Sequence, residues 1–118
     1  KEIQKDVERS RRSVIVSFLE VLDNLDRALE VGANKTDALV QGVALVRQQF
    51  LATLEGLGVT RVDPLGQRFD PLQHEAVSTV PAASSDQDDI VIGVVRPGYL
   101  MGEDVLRPAQ VAVARLQG

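Results

Sequence analysis

Cysteine and tryptophan are absent from this 118-residue chain, and histidine occurs once, at His74. Without cysteine there is no disulfide, no thiolate nucleophile and no Cys-ligated metal, and a reducing, cytoplasmic setting is the expectation. A catalytic zinc typically takes three protein ligands, often more than one of them His. Beside His74 the sequence offers only Asp70, Glu75 and the distant Asp63, a poor donor set, so hydrogen bonding that fixes a turn is the simpler role for His74. Aromatic residues make up 3% of the chain, and the net charge is −4. Little is available to stack on bases, and no Lys/Arg cluster is available to hold phosphates, so nucleic acid is excluded as a partner. The small basic group Arg9, Arg11 and Arg12 is offset by Asp6 and Glu8 and reads as a solvated helix face. No apolar run approaches the roughly 20 residues of a membrane span, and no signal peptide opens the chain.

Catalytic signatures are missing as well. Gly56, Gly58, Gly98 and Gly102 read as helix caps or turns, not as a loop cradling phosphate. Ser78, Ser84 and Ser85 lack the glycine context of a nucleophile elbow. Asp86, Asp88 and Asp89 lack the Gly and distal Glu of a calcium loop and read as a solvated acidic segment. The pattern indicates no enzyme, no cofactor and no direct binding of nucleotide.

What is present is a foldable composition, 44% hydrophobic and 25% charged, organised around Phe69-Asp-Pro-Leu-Gln-His-Glu-Ala-Val77. The chain up to Gly58 reads as helix, and beyond it as short strands and turns. Lys1–Val31 contains no Gly or Pro. Its apolar residues Ile3, Val7, Val14, Phe18, Val21, Leu22, Leu25 and Leu29 recur at helical spacing, predicting one helical run, straight or kinked. Before Val14 the stripe is thin, as in a solvent-bridging helix or one strand of a coiled coil; beyond it the stripe widens to a bundle-like face. The chain opens at Lys1 in mid-helix without a capping residue, which reads as a fragment of something longer. Gly32 is placed as a C-cap, and Thr36 as the N-cap of a second helix. Leu39, Val43, Val46, Phe50, Leu54 and Leu57 mark one face of that helix up to Gly58, its C-cap. Two helices joined this closely form an antiparallel hairpin, and a hairpin alone cannot close a core; a dimer giving four helices is the simplest completion. Gly42 inside the second helix costs about 1 kcal/mol relative to Ala, which favours the close approach of another backbone.

Beyond Gly58, Val59–Val62 reads as a strand, Asp63–Gly66 as a turn and Val77–Val80 as a strand closed by Pro81. Ala82–Asp89 reads as a mobile polar loop. Ile90–Arg96 is the clearest strand, stopped by Pro97-Gly98, and Val105–Leu106 and Val111–Val113 are the last two. The expectation is a small, mainly antiparallel sheet.

Several segments together resemble the GrpE family, nucleotide exchange factors of DnaK-type heat-shock chaperones. They are Val21-Leu-Asp-Asn-Leu-Asp-Arg-Ala-Leu29, Gly42-Val-Ala-Leu-Val-Arg-Gln-Gln-Phe50, Gly58-Val-Thr-Arg-Val-Asp-Pro64, the Phe69–Val77 stretch, and the run from Gly98 to Val113. The resemblance implies an α+β fold: a long N-terminal helix pairing as a dimeric coiled coil, a helical hairpin forming a dimeric four-helix bundle, and a small C-terminal β-sheet wing. On this reading residues 1–58 form the helical dimerisation region and residues 59–118 the wing. The partner implied is the ATPase domain of a DnaK-type chaperone, from which the protein promotes ADP release in protein folding and the heat-stress response.

By the same resemblance, chaperone contacts fall at Lys5, Val95, Asp104 and Val113. The dimer or bundle core falls at Val14, Phe18, Val21, Leu22, Leu25, Leu29, Leu39, Val43, Val46 and Phe50, and Gly42 matches a family glycine. Two positions depart from the pattern: Glu20 stands where members usually carry Pro, and Asp104 where they usually carry a contacting Arg. Val113→Asp is expected to abolish exchange while leaving the dimer intact. The family also implies thermal sensing, with the thin seam before Val14 melting below the sheet half. The alternative reading is a coiled-coil structural adaptor without exchange activity, which leaves the wing motifs unexplained.

Overall fold

The computed structural model describes residues 2–34 and 37–117. The chain divides into two compact units, Lys1–Gly58 and Val59–Gly118.

The first unit is a helical hairpin. Helix α1 spans Glu2–Val31 and helix α2 spans Ala38–Gly56. At about 1.5 Å per residue α1 is the longer by far. Its uninterrupted course follows from the absence of Gly and Pro and of any other break in its helix-compatible sequence. Helix α2 starts at Asp37, whose carboxylate accepts the Val40 N–H at 2.9 Å. Asp37 is thus the N-cap, one residue beyond the sequence expectation; Thr36 itself lies outside the described residues. Gly58 ends α2 as expected, with φ +94° and its N–H on the Glu55 carbonyl at 3.0 Å.

Gly32 is a different matter. Its φ is not in the left-handed region, and a Cβ there would stand 3.0 Å from the Val40 Cγ2. It is needed so that α2 can start close against α1, and not as a left-handed cap. Around Gly42 nothing within the chain lies within 4 Å of where its Cβ would be.

The hairpin is antiparallel and its contacts run along its length. Phe18 meets Phe50 edge to face at 6.1 Å between centroids, and Arg47 Nε donates to Asp26 Oδ1 at 2.9 Å. Near the far end Arg11 Nη2 donates to the Leu57 carbonyl at 3.4 Å, setting a cation at the C-terminus of α2, where none of its own last-turn residues is basic. Among the described residues the buried apolar side chains of this unit are Ile15, Leu19, Leu22 and Leu54. Ile15 and Leu19 do not belong to the stripe picked out from the sequence. Of that stripe Leu22 is buried and Leu25, Leu29, Val43 and Phe50 are half-buried, whereas Val14, Phe18, Val21, Leu39 and Val46 are exposed within the chain. Helix α1 therefore carries two adjacent apolar stripes, and α2 covers the one lying a residue further round.

The second unit is built from six strands, β1 (Val59–Val62), β2 (His74–Pro81), β3 (Val91–Arg96), β4 (Gly98–Met101), β5 (Asp104–Arg107) and β6 (Ala109–Arg115). They form two three-stranded sheets, ordered β1-β4-β5 and β2-β6-β3. The single sheet expected from the sequence is corrected to two, and one pairing, β2 with β6, is parallel. Strand β4 falls where Pro97-Gly98 reads as a stop. Pro97 does end β3, but the chain continues straight into another strand. Gly98 is no turn residue: a Cβ on it would lie 2.5 Å from the Ala109 N, where the β5–β6 connection passes over it.

The Ala82–Asp89 segment is not a loose loop. It contains a 3-10 turn at Ser85–Gln87. Asp88 Oδ1 accepts the Leu116 N–H at 2.8 Å, and Asp89, with φ 69°, accepts from the Arg115 guanidinium while its N–H donates to the Ala114 carbonyl. The core of this unit is Val91, Ala109, Val111 and Val113, with Val62, Phe69 and Val94 packed against it. Among the described residues no helix is long and apolar enough to cross a membrane.

Candidate partner-binding surface

Strand β6 supplies every second residue to the core, so its alternation Ala109, Val111, Val113 fixes what its neighbours present. Strand β3 pairs with it in broken register: Val91 faces Val113, Gly93 faces Ala112, Val94 faces Val111 and Arg96 faces Gln110. The two residues skipped are Ile92 and Val95. Each bulge leaves one residue without a partner across the ladder and turns it away from the regular alternation. Val95 is 67% exposed and Ile92 43%. Strand β2 does the same at Val77, which falls at its irregularity and is also exposed. The outer strands of this sheet thus hold branched apolar side chains in solvent on a backbone pinned by a closed core.

The residues implicated by the resemblance fare differently. Val95 is on the surface. Asp104 is exposed at the β4–β5 hairpin, whose loop begins at Gly102 with φ 63°. Lys5 is exposed on α1. Val113 is corrected: it is 0% exposed in the centre of the core and offers no surface to a partner. Strand alternation explains the reversal, since Val111 and Val113 share one face of β6 and that face is inward. Ile92 was missed because it sits inside an unbroken apolar run, where periodicity cannot separate core from surface; its bulge is a tertiary feature.

A second arrangement went unseen in the sequence. Arg61, Tyr99 and Arg107 form one row across the β1-β4-β5 sheet. Tyr99 is fully buried, Arg61 Nη1 donates to its hydroxyl at 3.0 Å, and the Arg61 and Arg107 guanidiniums lie 5.9 and 5.1 Å from its ring centroid. Arg107 Nε also donates to the Pro97 carbonyl at 3.0 Å, tying β5 to the start of β4. These contacts hold the hairpin that carries Asp104, through charge–ring attraction and charge-assisted hydrogen bonds.

His74 is buried, and its Nδ1 accepts the Asp70 N–H at 2.9 Å. This is the turn-fixing role. Among the described residues no group of three or more His, Asp or Glu side chains is arranged to hold a metal ion.

The helical unit has an open apolar surface of its own. A cavity of about 400 Å³ is lined by Phe18, Val46, Phe50, Leu54 and Leu57, with Gln49 and Thr53. It lies beside the exposed stripe of α1 that includes Val14 and Val21.

Comparison with known sequences places the whole arrangement. The profile of the GrpE family matches residues 1–115, nearly the full chain. The chain belongs to the GrpE family. It is 44% identical over 124 residues to the protein GrpE of a Chelativorans species, covering 95% of this chain and 55% of that relative. It is 38% identical over 119 residues to GrpE of Aliivibrio fischeri, covering 95% of this chain and 61% of the relative. A third match, GrpE of Bartonella tribocorum, is 43% identical over 122 residues, covering 94% of this chain and 54% of the relative. The chain therefore spans a little over half the length of these curated GrpE relatives. The α+β architecture, a long helix and a second helix followed by a small β region, is that of the family.

Proposed function

We propose that this chain is the helical and wing part of an adenyl-nucleotide exchange factor acting on a DnaK-type chaperone. In this reading it works as a homodimer in the cytoplasm, in protein folding and the heat-stress response. Residues 1–58 are the dimerisation region and residues 59–118 the wing. The observation that carries the reading, beside family membership, is the pair Ile92 and Val95: apolar side chains held outward by bulges on an otherwise closed sheet. Exposed apolar groups on a rigid support are what a protein partner recognises.

Exchange of this kind needs no catalytic side chain. A protein that binds the open, nucleotide-free ATPase domain better than the closed, ADP-bound one lowers ADP affinity by the same ratio. A preference of about 2.7 kcal/mol weakens ADP binding roughly a hundredfold. Asp104 contributes a negative charge where relatives usually present a positive one, so Asp104→Arg is expected to speed exchange on a chaperone matched to the commoner residue. Lys5 supplies a further contact from α1.

The test is release of labelled ADP from a DnaK-type ATPase domain with and without the chain. Faster release, lost in Val95→Asp, supports the proposal. Unchanged release by a dimeric chain favours a structural adaptor.

A further inference from the structure

We propose that His74 is an acid-released latch on the start of β2. The turn before that strand is closed by a small set of bonds converging on Asp70 and His74. Asp70 N–H donates to His74 Nδ1 at 2.9 Å, and the Asp70 carbonyl accepts from the His74 and Gln73 amides at 2.8 and 3.0 Å. Asp70 Oδ1 accepts the Leu72 N–H at 2.9 Å, and the Gln73 carbonyl accepts the Ala109 N–H at 3.0 Å, the first bond between this turn and β6. His74 and Ala109 are the first residue pair of the β2–β6 ladder.

A backbone N–H can only donate, so Nδ1 must carry a lone pair and the ring must be neutral with its proton on Nε2. A proton on Nδ1 would set two donors against each other at a buried position. The latch bond would then be lost and not merely weakened. Strand β2 is poorly placed to absorb that loss. Among the described strands it pairs only with β6, it is irregular at Val77, and every residue after His74 is exposed.

The charges around the ring decide how readily it protonates. Asp70, in the turn, favours the imidazolium, but its Oδ1 is engaged by Leu72. On β2 itself Glu75 is exposed and its carboxylate accepts from Gln110. On β6 the register partner Ala109 is uncharged. Phe69, tilted against the His74 ring at 5.8 Å, carries the Arg115 guanidinium 5.5 Å from its centroid. Arg115 and Arg68 are both paired with Asp89. Burial outweighs Asp70 and lowers the His74 pKa below its ordinary 6.5.

Because the chain has one histidine, its ring signals in an isotope-labelled sample need no assignment by mutation. The experiment follows those nitrogen resonances and the backbone amide exchange of the intact chain from pH 7.5 to 5. The expected result is an unprotonated Nδ1 at neutral pH and a titration midpoint below 6.5. As pH falls from 6.5 toward that midpoint the protection of the Asp70 amide, corrected for intrinsic exchange, should fall by up to about tenfold per pH unit. Amides of the β1–β4 ladder should keep theirs. The latch is overturned by a proton on Nδ1 at neutral pH, by flat Asp70 protection, or by loss of protection across the whole wing together. None of these readouts depends on a chaperone, so the latch stands or fails separately from the exchange function.

Discussion

The two units solve the same problem in opposite ways. The wing takes small side chains, Val91, Ala109, Val111 and Val113, and encloses them almost completely between short strands. The helical unit has longer elements, yet among its described residues the buried apolar side chains are Ile15, Leu19, Leu22 and Leu54, and Phe18 stays 46% exposed at an open cavity. Two helices offer each other one stripe apiece, so any second stripe has nowhere to go within the chain. The strands of the wing instead close one core between them. The wing is therefore a body with a closed core of its own, outside which lie exposed apolar residues such as Leu65, Leu72, Ile92 and Val95. The helical unit is half of a body, and in the proposed homodimer a second copy covers Val14, Phe18, Val21 and Val46.

That contrast predicts effects of graded size. The largest is Val113→Asp, which buries a carboxylate in the finished core. It should cost about 4 kcal/mol or more and remove the wing's thermal transition. Dimerisation through the helical unit should survive, as sedimentation would show. A soluble, fully folded wing in this variant would contradict the burial of Val113. This differs from the expectation drawn from sequence, in which the same change strikes only a contact surface.

Next in size is Phe18→Asp on the uncovered helical stripe. It should raise the dimer dissociation constant about a hundredfold, a change of about 2.7 kcal/mol, while the wing's melting temperature stays put. Gly98→Ala probes the wing from its backbone: with the Ala109 N 2.5 Å from the new Cβ, the β5–β6 crossing must move. A loss of about 2 kcal/mol in wing stability is expected by denaturant titration.

Much of this could be read in the sequence, and the failures have physical causes. Helix α1, helix α2 and strand β1 follow from periodicity and from the Gly58 cap, because those signals are local. The sequence picked out Val14 and Phe18 without their neighbours Ile15 and Leu19, because adjacent apolar pairs offer periodicity two faces and only the partner helix decides which member is buried within the chain. Strand β4, the parallel β2–β6 pairing and the bulges at Ile92 and Val95 depend on register between distant segments, which carries no local signature. Of the candidate contacts, Val95 lies in such a bulge and Val113 in the regular alternation, and the identity of the residue, Val in both cases, could not tell them apart.

A smaller effect tests the surface without disturbing the core. Val95→Asp should leave the wing's melting temperature within about 4 °C of the unsubstituted chain, since exposed substitutions shift stability by about 0.5 kcal/mol or less. In the proposed function it should slow ADP release at least tenfold. The mildest contrast is with pH. Because the His74 pKa is lowered on folding, the unfolded chain binds the extra proton first. The stabilisation is fully present above pH 6.5 and is lost as pH falls toward the folded-state value. The wing should accordingly soften between pH 6.5 and 5 in calorimetry, while the helical unit, which contains no histidine, shows no histidine-linked change there.

The most direct test of the contrast between a finished wing and an unfinished helical unit is amide hydrogen exchange across a dilution series. As the chain is diluted and the proposed dimer dissociates, protection in residues 11–31 and 38–56 should fall with concentration, while protection in β3, β4 and β6 stays constant. Helical protection that does not change on dilution, or wing protection that falls in step with it, would contradict the account.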